Sequence, residues 1–152
     1  MLEAPSRSTS TDIEGALAYW QRIRGGRRMP SRQDFDPLDI PQILPYVMLI
    51  DVLHEPLDFR FRLLGSGHDQ IVACNYKGMR FSELAHLRRG NPVWEEYERV
   101  ALEGTPLRSF VPYVGADPHI RRVEHCLMPL SSDGELVDMI FVVAAVERIG
   151  PA

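Results

Sequence analysis

The chain has 152 residues, 45% of them apolar and 25% charged, with a formal net charge of −4. That length and balance describe one soluble globular domain with a sizeable core, and the mild acidity excludes a global attraction to nucleic acid or anionic membrane. No apolar run approaches the roughly 20 residues that span a bilayer, the opening MLEAPSRSTSTD has no secretory core, and two cysteines, Cys74 and Cys126, make neither a disulfide framework nor a four-ligand metal set; a reduced cytoplasm is expected.

Residues 1–10 lack periodicity and are expected to be disordered. A helix follows, with Thr11 or Asp12 as cap, Glu14 near its positive end, and Ile13, Leu17, Trp20 and Ile23 on one apolar stripe. Gly25-Gly26 stops it. RIRGGRRMPSR then holds Arg22, Arg24, Arg27, Arg28 and Arg32. A phosphate or acidic-partner site is the functional reading. The plainer one, a solvated connector, is favoured because Asp34, Asp36 and Asp39 follow at once and nucleic-acid binders show a basic face rather than one short run. Helix and connector are read as 11–36, and the main domain as 37–148.

Pro41 and Pro45 break any longer helix, so Tyr46–Leu53 reads as a strand. After the turn HEPLD, FRFRLLG alternates, with Phe59, Phe61 and Leu63 on one face and Arg60 and Arg62 on the other. Short helical pieces are expected around 67–74 and 81–88. NPVWEEYERVALEG is a stronger helix, capped by Asn91 with Pro92 in its first turn and Gly104 as its stop. Residues 106–115, 119–130 and 135–147 read as three hairpin-linked strands. The helices between the second and third strands cover one face of an antiparallel sheet. MIFVVAAV is apolar at both parities, which places residues 136–146 at the sheet's centre, buried on both faces.

The order of two strands, short helices, a longer helix and three strands resembles that of PAS domains. NYKGMRFSEL resembles the PAS pattern of a glycine followed by an acidic residue and leucine. YWQRIRGGRRMPSRQDFDP, DIPQILPYVMLIDV, FRFRLLGSGHDQIVACNYKGMRFSEL and LMPLSSDG resemble the single-domain PAS proteins of alphaproteobacteria. Over residues 13–146 the resemblance implies an α+β fold: a five-stranded antiparallel sheet with a ligand-capable cavity beside it. It also implies sensing or regulation.

The chemistry-bearing residues support no strong catalytic motif. His68, Asp69, Cys74 and Asn75 lie in one span, but 68 and 69 point to different sides of a helix, and no His-x3-His or Cys-x2-Cys pair occurs. Cys74 reads as a small buried hydrophobe. In light-sensing PAS proteins the cysteine of G-x-N-C-R-F-L-Q attacks flavin, whereas GMRFSEL has Arg80 and Phe81 where Asn and Cys would stand. Haem would need a histidine such as His68 or His86, without a ligand pattern to favour it. No cofactor is expected.

The remaining candidate is an apolar cavity with a few polar groups, lined by Phe61, Leu63, Ile71, Tyr76, Phe81, Trp94 and Tyr97, with Arg80 or a tyrosine hydroxyl orienting a polar end. The bland alternative is that these side chains simply fill the core. The Ile13–Leu17–Trp20–Ile23 stripe is expected to cover the outer sheet face incompletely and to build a homodimer with Trp20 as anchor.

Two functions follow. The favoured one is a stand-alone sensory or regulatory module without catalysis, binding a small apolar or amphipathic ligand or a signalling partner protein, with no nucleic acid or membrane. The other is a small cone-shaped α+β enzyme of the isomerase or dehydratase kind, in which His125 and Tyr113 supply the acid–base pair. That fold begins with long helices before its sheet, which counts against it here.

Overall fold

Apolar side chains at both parities need cover on both sides, and the fold is arranged around that need. The structure, a computed structural model, describes residues 10–66, 76–113 and 117–148. Among these are two helices, α1 (Ser10–Arg24) and α2 (Pro92–Glu103), and five strands: β1 (Val47–Leu53), β2 (Asp58–Leu64), β3 (Leu107–Pro112), β4 (Ile120–Leu130) and β5 (Met139–Arg148). The strands pair antiparallel in the order β2-β1-β5-β4-β3, which puts β5 at the centre. α2 and a run of short turns intervene between β2 and β3.

The two faces of β5 meet different layers. Ile140, Val142 and Ala144 share a face with Met48, His125 and Leu127, their register partners or the neighbours of those partners, and this inner face lies under α2. Phe141 and Val143 point the other way. Phe141 meets Phe35 at 4.7 Å, and Phe35 meets Tyr19 of α1 at 6.0 Å. α1 lies over β4 and β5 and buries Ile13, Ala16, Tyr19 and Trp20 there. The segment 29–43 adds Met29, Phe35, Ile40 and Ile43 to the same layer. One contiguous core therefore includes the N-terminal helix, the connector and the sheet. Each large apolar side chain so buried contributes about 1.5–3 kcal/mol.

This cover takes up, within one chain, the stripe expected at a homodimer interface. Trp20 is 2% exposed, and its indole Nε1 donates to the Pro129 carbonyl at 2.8 Å. Ile13 is fully buried, and Leu17 and Ile23 are partly buried against the same core. The stripe packs on the chain's own sheet, with residues of 29–43 in the same core.

A bulge corrects the reading of β2. Ile50 pairs with Phe61 but Leu49 pairs with Leu63, so Arg62 is the extra residue between them. Phe59 and Phe61 stay on the inner face, and Leu63 moves to the outer one, where it is 38% exposed. Asp51 accepts from Arg60 and Arg62, at 3.1 Å each, on that outer face. β2 ends at Gly65, where a Cβ would lie 2.4 Å from the Pro45 carbonyl oxygen; only glycine permits this close approach.

Other boundaries differ locally. The expected helical piece 67–74 lies outside the described residues, and 81–88 is a 3-10 turn over Phe81–Glu83 followed by further turns. β5 begins at Met139 rather than Glu135, because the Asp133 carboxylate accepts from the Glu135 and Leu136 amides and closes a turn there.

The arginine-rich segment serves the fold. At the end of α1, Arg27 donates to the Ile23 carbonyl and pairs with Asp34, and Arg24 donates to the Arg27 carbonyl, satisfying groups that a helix terminus leaves open. Arg32 donates to the Phe35 carbonyl. Arg28 reaches farther, donating to the Glu103 carbonyl at the end of α2 at 2.9 Å. Its guanidinium covers Gly104, which ends α2 with φ +71°.

Candidate functional site

A cavity of about 330 Å³ lies between the inner sheet face and α2. The sheet forms its floor with Met48, Phe61, Val111, Val123 and His125, and α2 forms a wall with Val93, Glu96 and Tyr97. Tyr76, Phe81, His86 and Leu87, from the turns before α2, supply another wall. Ala144 pairs in register with His125. It is smaller than Ile140 and Val142, its predecessors on the same face of β5, and leaves space where they fill it.

The walls are largely aromatic. Phe61 stacks on Tyr76 at 5.5 Å and meets Phe81 at 5.0 Å, while Phe81 meets Tyr97 edge-on at 4.8 Å. Such contacts hold the rings in fixed orientations. Burial pushes the Tyr97 phenol far above its ordinary range, with the Glu96 charge adding to the effect.

One polar cluster interrupts this surface. His125, 6% exposed, shares a hydrogen bond of 2.7 Å between its Nε2 and Glu96 Oε1. Ser109 Oγ donates to the same carboxylate oxygen at 2.9 Å and lies 3.1 Å from the same imidazole nitrogen. Burial raises the Glu96 pKa, but the hydrogen bonds from His125 and Ser109 outweigh it and hold the carboxyl below its ordinary value. The group is therefore a carboxylate at neutral pH. Serine, histidine and acid are all present, yet the geometry differs from that of a nucleophilic triad. A triad histidine uses one nitrogen for the acid and the other for the nucleophile; here Nε2 serves both, and the serine proton is directed to the acid.

The structure places the other expected site residues as follows. Phe61, Tyr76, Phe81 and Tyr97 line the cavity. Leu63 does not, because of the bulge. Trp94 is buried beside Phe59, ring centroids 5.0 Å apart, outside the lining. Arg80 is exposed at the start of the Phe81–Glu83 turn. Ile71, His68, Asp69 and Cys74 lie outside the described residues. Tyr113 lines the cavity, but its hydroxyl accepts from the Asp117 amide at 2.9 Å, while His125 is held by Glu96. Cys126 points to the opposite sheet face, and burial pushes its thiol up to about 12. Among the described residues, no group of three His, Cys, Asp or Glu side chains is placed to hold a metal ion.

Glu96 was missed by the sequence reading, although a signal existed. It lies three residues after Val93 and four before Val100, on the apolar stripe of α2. A carboxylate in that position faces the interior and needs a partner.

No helix among the described residues is long and apolar enough to cross a membrane. No curated protein and no solved structure matches the chain. A family model described as PAS domain matches residues 7–143, from before α1 into β5. With the five-stranded antiparallel sheet and the helix-covered inner face, this match shows that the chain belongs to the PAS domain family, a family of sensory and signalling modules.

Proposed function

We infer that the protein is a regulatory PAS module that senses a small, mainly apolar ligand and has no catalysis of its own. The supporting observation is the cavity between sheet and α2, apolar over most of its wall with one polar cluster at Glu96, His125 and Ser109. Small-molecule sites typically combine these features at volumes of about 300–1,000 Å³. The output passes to a partner protein in the cytoplasm. Self-association would use a surface other than the Trp20 stripe, which the sheet already occupies.

Native mass spectrometry of freshly purified protein, followed by denaturation, tests the ligand reading. A stoichiometric added mass released on unfolding supports it, as does a rise in melting temperature with a small apolar compound. A bare chain mass, with no compound of cavity size raising the melting temperature, overturns it.

A further inference from the structure

We propose that the cavity selects ligands bearing a cationic amine, or a comparably strong hydrogen-bond donor, and rejects carboxylates and phosphates. This rests on the ligand-sensing reading above and names the chemistry that reading leaves open.

The charges lining the cavity carry the inference. Glu96 is the acidic side chain among the described lining residues, and no lysine or arginine is among them. Residues 67–75 and 114–116 read GHDQIVACN and VGA, so neither segment brings a lysine or arginine. Among the described lining residues an anionic ligand would thus find no lysine or arginine and would meet a carboxylate, which carries both a desolvation and a repulsion penalty. An ammonium group would find its counter-ion in place.

The cluster also has the right hydrogen-bond polarity. Glu96 offers only acceptors while ionised. Ser109 and His125 both approach Oε1, which leaves the acceptor capacity of the second carboxylate oxygen for a ligand donor. When the imidazole is neutral and its Nε2 proton is given to Glu96, Nδ1 is the ring's acceptor. Ser109 and His125 act as positioning residues: they hold the carboxylate ionised and in place without contacting the amine. Phe61, Tyr76, Phe81 and Tyr97 line the same cavity and suit the apolar body of such a ligand.

The test uses three indole probes of similar size at pH 8: tryptamine, the neutral 3-propylindole and indole-3-acetate, each titrated calorimetrically against the wild-type chain. The expected order is tryptamine tightest, by about ten-fold over the neutral probe, with the carboxylate weakest. Glu96→Gln should bring tryptamine down to the neutral probe and so abolish the preference between them. A second readout needs no variant: the carboxyl-carbon resonance of Glu96 in wild-type protein should move with tryptamine and stay with 3-propylindole. The proposal is overturned if the carboxylate or neutral probe binds as tightly as the amine, if the amine preference survives Glu96→Gln, or if the Glu96 resonance ignores tryptamine. Binding of 3-propylindole without any amine preference defeats this proposal and leaves ligand sensing intact. Failure of all three to bind also defeats this proposal, and ligand sensing falls with it where the native mass is that of the bare chain.

Discussion

Glu96 of α2 and His125 of β4 meet at 2.7 Å, and with the Ser109 bond from β3 this contact joins the cavity helix to the sheet. The bond gives the module an acid-sensitive tie. A carboxyl held below its unfolded value contributes stability that is fully present above the unfolded pKa, about 4.3 for glutamate. That contribution is lost as pH falls through the folded value. Glu96→Gln should therefore flatten the acid limb of the stability curve below about pH 5 relative to wild type. Urea denaturation at a series of pH values measures this; parallel acid limbs would contradict it.

Leu63 and Phe61 are two residues apart in a strand, but the bulge separates their environments. Phe61→Ala should cost about 3–5 kcal/mol through a cavity in the aromatic cluster. Leu63→Ser should cost under about 1 kcal/mol, as for a half-exposed surface position. Equal losses in equilibrium unfolding would mean that unbroken alternation, with Leu63 inside, is the true register.

Trp20 is packed within its own chain and donates to Pro129. Trp20→Phe should lose about 1–2 kcal/mol, chiefly the hydrogen bond and its desolvated acceptor, and Trp20→Ala about 3–5 kcal/mol. Neither loss should depend on protein concentration. A concentration-dependent midpoint, checked by chemical denaturation across a hundred-fold dilution, would restore this residue to an intermolecular contact.

Gly104 adopts positive φ, and a Cβ there would come within 2.6 Å of the Arg28 guanidinium. Gly104→Ala should cost about 1–2 kcal/mol from backbone strain alone, and more where Arg28 must also move. In an Arg28→Ala background the steric part disappears, so the double-mutant cycle should show coupling of about 0.5 kcal/mol or more. Additive losses would mean that the side chain yields freely.

Cys126 is buried with its thiol pushed up to about 12, by desolvation first and by Glu124 second, against the lowering effect of Arg108. It should resist iodoacetamide in the native state at pH 8 and react once the chain is unfolded. Mass mapping of the labelled peptide checks this, and rapid native labelling would place the thiol at the surface.

Sheet pairing was legible because hairpin turns and alternation are local, and the two-sided apolarity of residues 139–146 located the central strand without reference to its neighbours. Phe61 and Tyr97 were placed inward by the periods of their strand and helix, whereas Phe81 sits in a 3-10 turn rather than the expected helical piece. Local patterns did not reveal the bulge at Arg62, since the extra residue is defined only against β1. Nor did they show that 29–43, a segment without periodicity, supplies Met29, Phe35, Ile40 and Ile43 to the outer layer. Trp20 was correctly given a large apolar surface to bury, but an apolar stripe does not say whether its cover is the same chain or another. Glu96 escaped because its meaning depends on His125, 29 residues away.

The Arg28 bond to the Glu103 carbonyl sets the N-terminal helix and the cavity helix in mechanical series. A rotation of α2 about its axis would stretch that bond, and the same guanidinium lies against Gly104 at the helix end. Between Arg28 and α1 lie Gly25, Gly26 and Arg27, and Gly25 has positive φ. The end of the cavity helix is thereby tied to the segment that leaves the helix on the opposite face of the sheet.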